Sequence, residues 1–542
     1  MTESQGKTLA AETRAHQGIA KAAGIVAAGT VLSRILGFAR DMILAKIFGA
    51  TVAADAFYVA FRVPNLLREL FAEGSMSAAF IPVFTEYLSK KSRPEAKELA
   101  RSAFTTLSLL LMTLVFFGIV FSVPLIGVIA PGFLRDPAQF RLTIDLTRIM
   151  FPFLLFISLA ALAMGILNST RHFAPPAFSS GVFNVVNIVF ILAGASFFSE
   201  PAYGAAWGVV FGGLAQFLVQ LPTLYQEGFS LSFRRPIWPL HPGVAQMGRL
   251  LAPTTLGLSV TQINLLVNTY LASSLPTGSV SYLYYGMRLI HFPLGIFAIA
   301  LSTALLPTLS SQAAKNEIGA LRQTFSFGLR LVFFITFPAM MGLIFLRVPI
   351  VHLLFEHGAF DRTATLGTAA AVLFYAAGLW AFAGLRIVVP VFYSLQDTKT
   401  PVKIGLVAVA ANIILNILLM GPLQHGGLAL GASLSAILNF SLLLIILRRR
   451  IGKVDGRRIL RSHLKVIFAS FSVIFPSVWL SHRTIWSEGG FWEVKTLLLT
   501  LTILISAALY FGVQWVLKSE ELHFITGLVK GRIFKVKAPP YM

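Results

Sequence analysis

Two arginines, Arg34 and Arg40, interrupt the otherwise apolar run from Ile25 to Ala45, and Arg62 and Arg68 interrupt the next one. Arg288 holds a similar place past the middle of the chain. A guanidinium keeps its proton at any physiological pH, and holding one near the centre of a bilayer costs about 2.5–3.5 kcal/mol on insertion scales. Five such residues require a compensating feature, most simply a water-filled cavity that receives anions. The nearby acids are Asp41, Asp55, Glu69 and Glu73, which do not balance five arginines. A net positive interior favours an anionic substrate, and the planar fork of arginine suits phosphate oxygens two at a time. A diphosphate is a natural fit.

The spacing of these residues places them on helix faces. Asp55, Arg62 and Glu69 recur every seven residues, with Asn65 between them, so they share one face. Arg34 and Asp41 do the same one segment earlier, while Arg40 points elsewhere. Pro64 and Gly74 break the second segment and permit the bending that a gate requires. Pairs such as Arg40–Asp41 or Arg62–Asp55 read equally well as ion pairs that glue helices together. His291, near Arg288, reads first as a packed histidine, and Arg148, Arg330 and Arg386 either line a cavity or snorkel. In the loop from Gln396 to Lys403, Lys399 and Lys403 read as a cytoplasmic gate, a lipid-headgroup contact or a solvated turn ahead of Pro401.

The elements that must position these groups are membrane helices. The chain has 542 residues, 56% hydrophobic and 12% charged, against about 25% charged in a soluble domain. Apolar segments recur from residue 19 to residue 517, each near the roughly 20 residues a spanning helix needs. The fold class is therefore an all-α polytopic membrane protein, and long unbroken apolar segments exclude a β-barrel. Fourteen spans are expected, near 19–48, 52–84, 102–130, 141–168, 174–199, 203–226, 246–273, 280–309, 324–355, 364–393, 401–422, 426–447, 464–482 and 491–517. The polar start lacks a cleavable signal, so the first helix is expected to direct insertion.

Charge then orients the chain. The +22 formal charge concentrates in the N-terminus, the loops after even-numbered spans and the tail, as at Lys90–Arg101, Arg448–Lys465 and Lys530–Lys537. The opposite loops hold Lys46, Arg135, Arg141, Arg362, Arg483 and Lys495. By the positive-inside rule both termini face the cytoplasm. The basic excess is topology and contact with membrane phospholipid rather than nucleic-acid binding. No cysteine is present, which removes disulfides and thiolate metal sites. No nucleotide loop or metalloprotease motif appears, so no cofactor and no metal are expected; an ion gradient or the membrane potential is left open as the source of energy.

An internal duplication is also legible. Ser77-Ala-Ala-Phe-Ile-Pro82 matches Ser302-Thr-Ala-Leu-Leu-Pro307 at an offset of 225, which also relates Ser169 to Ser394, Pro176 to Pro401 and Asn187 to Asn412. Six spans separate equivalent helices, so the repeat is parallel. The expected organisation is a cytoplasmic segment 1–18, an N-lobe 19–227 of six helices, a C-lobe 245–450 of six helices, two extra helices within 464–517, and a cytoplasmic tail 518–542.

The stretches Ser33–Asp41, Asp55–Phe61, Pro64–Arg68, Phe71–Gly74 and Gln396–Lys403 resemble the MurJ/MviN family of lipid II flippases, within the multidrug/oligosaccharidyl-lipid/polysaccharide exporter superfamily. The resemblance covers nearly the whole chain. It implies a transporter rather than an enzyme, moving undecaprenyl-diphosphate-linked peptidoglycan precursor from the inner to the outer leaflet of the bacterial cytoplasmic membrane by alternating access. It assigns substrate binding to Arg34, Arg40, Arg68 and Arg288, with Asp41, Asp55 and Glu73 as supporting acids and the two extra helices as a groove for the lipid tail. Cell-wall synthesis or division proteins are further candidate partners. The polar N-terminus is longer than the family's pattern, and Met287 and His291 stand where some relatives carry acids. Charge alone leaves two alternatives, a flippase for another polyprenyl-diphosphate oligosaccharide and a multidrug exporter, and the arginine excess argues against the second. A membrane glycosyltransferase would need a larger outer loop than any here.

Overall fold

The computed structural model describes residues 3–70, 74–233, 240–486 and 490–534, with side chains outside 3–23, 74–78, 252–261 and 528–534. The described residues contain helices and no strands. They form two compact units, Met1–Ile263 and Asn264–Met542.

The first unit contains α1 (Glu3–Phe48), α2 (Val52–Arg68), α3 (Gly74–Lys90), α4 (Arg93–Val120), α5 (Ser122–Ile129), α6 (Pro137–Met150), α7 (Phe153–Ser169), α8 (Ala174–Phe197), α9 (Ala202–Leu218) and α10 (Leu221–Gln226). The boundary between units falls within α11 (Pro242–Ser273). The second unit continues with α12 (Ser279–Pro293), α13 (Ile299–Ala314), α14 (Ile318–Phe345), α15 (Arg347–Phe355), α16 (Arg362–Ala376), α17 (Leu379–Ser394), α18 (Lys399–Leu423) and α19 (His425–Ile451). Four helices follow: α20 (Gly456–Ser470), α21 (Ile474–Ser481), α22 (Trp492–Val516) and α23 (Glu520–Phe534).

The duplication read from a few residues extends to the helix boundaries. Adding 225 to the bounds of α4 gives 318–345, those of α14, and α8 maps onto 399–422 against Lys399–Leu423 for α18. The packing scheme repeats with it. Within the first unit α2 packs on α6, α3 on α7, and α9 on both α7 and α8; within the second α12 packs on α16, α13 on α17, and α19 on both α17 and α18. Equivalent polar residues are buried in both copies, Asn187 at 1% exposure and Asn412 at 0%.

Local chemistry fixes where helices start. Ser92 caps α4, its hydroxyl accepting from the Glu95 N–H at 3.4 Å and donating to the Glu95 carboxylate at 2.9 Å, with Pro94 in the first turn. Asp136 and Asp361 cap α6 and α16, their carboxylates accepting first-turn N–H groups. Phe80, Phe84 and Ile166 anchor the core of the first unit, and Phe325, Val388 and Phe392 that of the second.

Among the described residues ten helices are long and apolar enough to span a membrane, or eleven when α16 and α17, bent by 45°, count as one span. These eleven coincide with eleven of the fourteen expected from the sequence. The other three, 19–48, 52–84 and 246–273, lie on α1, on α2 with α3, and on α11, each partly outside the described side chains. The two extra helices fall on α20–α21 and α22, and Lys495 of α22 donates to His352 Nε2 of α15 at 2.9 Å.

Helices α8 and α9 approach so closely that a Cβ on Gly204 would lie 2.4 Å from the Gly194 Cα. Glycines at 204, 208 and 212 recur every four residues along this contact, the small-residue spacing that lets membrane helices meet backbone to backbone. Gly204→Leu is therefore expected to destabilise the purified protein by about 1–3 kcal/mol. Gly127→Ala, with nothing within 4 Å of its built Cβ, should leave the thermal unfolding midpoint unchanged.

Candidate substrate site

The arginines of the first unit differ in how they are held. Arg40, on α1, donates through Nε (3.1 Å) and Nη2 (2.8 Å) to Oδ1 of Asp41, which is fully buried. Its Nη1 reaches Asn184 Oδ1 on α8 at 3.3 Å. Asn184 in turn donates to the backbone carbonyls of Ser33 (3.2 Å) and Ser180 (3.0 Å). One amide thus ties Arg40 to both helices across the α1–α8 contact, and the ring of Phe183 lies 6.0 Å from the guanidinium carbon. Asn184 did not figure among the residues singled out from the sequence. Its signal there was an amide inside an apolar span, one turn before Asn187.

Arg34 is different. It is exposed on α1, about 21 Å from the Phe48 end of the helix at 1.5 Å per residue. Among the described residues it makes no hydrogen bond or ion pair. Its outward-facing charge is thus left to solvent or to a ligand.

On α2, Asp55 sits in the first turn at 2% exposure and Arg62 is half-buried. The helix runs through Pro64 to Arg68; a π-type turn at Glu69–Leu70 follows, and α3 begins at Gly74. The helix thus continues through Pro64, and residues 71–73, which join it to α3, lie outside the described residues. Glu73 lies outside the described residues. Arg68 Nε donates to Asn65 Oδ1 at 3.1 Å, Asn65 Nδ2 donates to Glu69 Oε1 at 3.2 Å, and Arg68 Nη2 stands 4.0 Å from the same carboxylate. The other oxygen of Glu69 accepts from Gln262 Nε2. Arg68 is thereby positioned, yet 24% of its side chain stays accessible.

In the second unit Arg288 is half-buried on α12, and His291 lies one turn on, exposed. Arg288 and Arg386, an exposed residue of α17, both lie within electrostatic reach of the His291 ring. Arg386 makes no hydrogen bond or ion pair among the described residues. Two other arginines left open by the sequence are tied down: Arg148 donates to Ser122 Oγ at 2.8 Å, and Arg330 pairs with Glu520 at 2.8 Å.

Lys399 and Lys403 are exposed at the start of α18. Beside them Asp397 accepts from the Thr400 hydroxyl at 2.6 Å and the Thr400 N–H at 3.0 Å, and pairs with Arg450 at the end of α19. The Thr400 hydroxyl, opposed by burial and helped by its N–H and by Arg450, holds the Asp397 carboxyl below its ordinary value. A depressed carboxyl stabilises the fold above its unfolded pKa and loses that contribution as pH falls through the folded one. The staple between α18 and α19 therefore persists at neutral pH. It is lost only in acid below about pH 4.

No group of three His, Asp or Glu fit for a metal ion occurs among the described residues. What the side chains offer is fixed positive charge.

These differences separate stability from function. Asn184→Ala removes an anchor shared by two helices and is expected to lower stability by about 1–2 kcal/mol. Arg34→Ala, which breaks no hydrogen bond or ion pair among the described residues, should stay within about 0.5 kcal/mol of the parent. Thermal unfolding of the purified variants checks both.

Residues 44–518 match the family model described as Lipid II flippase MurJ. A probable lipid II flippase MurJ of Vibrio cholerae is 39% identical over 440 residues, covering 80% of this chain and 83% of that protein. The lipid II flippase MurJ of Burkholderia cenocepacia is 36% identical over 501 residues, covering 91% and 96%. A solved structure of the lipid II flippase MurJ in an inward closed conformation superposes with a TM-score of 0.75 at 27% identity, covering 91% of this chain and 98% of that one. An inward-facing multidrug transporter of the MATE family, 14% identical at a TM-score of 0.63, shares the fold. The chain belongs to the lipid II flippase MurJ family.

Proposed function

We propose that this chain carries lipid II from the inner to the outer leaflet of the bacterial cytoplasmic membrane by alternating access, with its arginines handling the diphosphate. The observation that carries the assignment of the site is Arg34, a permanent cation inside an apolar helix segment with no counter-charge among the described residues. A phosphate oxygen in that position supplies the missing charge, and the guanidinium fork matches it. The family match over most of the chain supports the substrate. In this reading Arg40 is oriented by Asp41 and Asn184, and Arg68 by Asn65 and Glu69, each as positive charge for a phosphate. Arg288, on α12, is likewise a diphosphate-binding candidate. Both termini face the cytoplasm, as the loop charges require. Moving one charge across 100 mV is worth about 2.3 kcal/mol, so the membrane potential acts directly on the arginines and on the substrate anion.

Complementation of a strain depleted of its own flippase tests the proposal, reading lipid II accessible at the outer face. Arg34→Ala, Arg40→Ala, Arg68→Ala and Arg288→Ala are each expected to cut outer-face lipid II at least about tenfold and end in lysis, with expression maintained. One lost charged hydrogen bond of about 1.5–3 kcal/mol sets that scale. Lysine at position 34 should restore part of the export. Normal export by all four alanine variants would overturn the arginine mechanism.

A further inference from the structure

A further basic site lies within the second unit, on α14, α20 and α23, none of which carries Arg34, Arg40, Arg68 or Arg288. A cavity of about 580 Å³ opens between the start of α20, the start of α23 and α14. Its floor is built from buried charge: Arg330 of α14, 6% exposed, bonds both Glu520 and Glu521, the latter 2% exposed. Arg458 of α20 completes the network on Glu520 at 2.7 Å, with Asp455 beside it. Lys465 donates to the Lys518 carbonyl at 3.2 Å and closes one side.

The network occupies Glu520 and Glu521 but leaves three cations over. Lys453, Arg457 and Arg461 line the same cavity, are exposed, and make no hydrogen bond or ion pair among the described residues. Arg457 and Arg461 are one turn apart on α20, so their guanidinium groups face one ligand together. The adjoining face of α20 is apolar and exposed: Leu460 at 60%, Leu464 at 58% and Phe468 at 65%, continued by Phe475 at 79%. A basic stripe beside an apolar one, at the cytoplasmic end assigned by loop charge, matches a phosphate head joined to acyl chains.

We infer that this cavity is a binding site for the phosphate of an anionic bilayer lipid, held by Arg457, Arg461 and Lys453, with its chains along Leu460, Leu464 and Phe468. The site stands independently of the transport proposal. It fixes the C-terminal helices against the cytoplasmic leaflet.

The test uses the full chain, delipidated in detergent and titrated with phosphatidylglycerol, phosphatidylcholine or inorganic phosphate, with binding read by native mass spectrometry and thermal shift. Phosphatidylglycerol is expected to bind saturably and phosphatidylcholine not to bind. The pair of changes Arg457→Gln and Arg461→Gln should weaken phosphatidylglycerol about 30-fold, at roughly a factor of five per basic residue. Lys90→Gln with Lys91→Gln, which removes the same charge from the exposed end of α3, should leave it unchanged. Equal binding by the Arg457/Arg461 variant and the parent would overturn the site. Saturable binding of inorganic phosphate without phosphatidylglycerol would overturn the lipid assignment and leave a free phosphate as the ligand.

Discussion

A guanidinium that cannot lose its proton must find compensation wherever an apolar helix carries it into the bilayer. Much of the chemistry here follows from how each arginine meets that requirement. Arg40 meets it within the protein, through buried Asp41 and the amide of Asn184. Arg68 meets it in part, through Asn65 and a carboxylate 4.0 Å away. Arg34 meets it with no described residue. In the proposed reading this gradation gives similar residues different roles: Arg40 is a strut between α1 and α8, while Arg34 is charge for the substrate.

The duplicated scaffold serves this arrangement without sharing its chemistry. Helix bounds and packing pairs repeat at an offset of 225, yet the charges do not. The positions equivalent to Arg40 and Asp41 hold Leu265 and Leu266, Arg68 corresponds to Pro293, and Arg288 corresponds to Val63. What both copies keep is structural: buried Asn187 and Asn412, and the prolines that open α8 and α18. Helix packing in a bilayer depends on shape and small residues, which a duplication preserves. Charge placement is not fixed by packing and differs between the copies.

Much of this was legible in the sequence because hydropathy and periodicity are local. Eleven apolar spans, the repeat offset and the intramembrane arginines all follow from residue type and spacing. What spacing did not give was partnership across helices. Asn184 lies 144 residues from Arg40, Gln262 lies 193 from Glu69, and Glu520 lies 190 from Arg330. Nor did the sequence say which of Arg148, Arg330 and Arg386 would be tied down, since that depends on the residue each one meets when its helix packs. The family resemblance added the substrate, which charge alone could describe only as an anion suited to arginine.

The central claim is that Arg34 completes its electrostatics with the substrate's diphosphate. The most direct measurement is the affinity of the purified full chain for lipid II against an analogue whose diphosphate is replaced by a neutral linker. The account predicts that the parent prefers lipid II by at least about tenfold, the scale of one charged hydrogen bond, and that Arg34→Ala abolishes most of the preference while folding normally. If Arg34→Ala keeps the full preference, Arg34 does not read the diphosphate and the account is wrong.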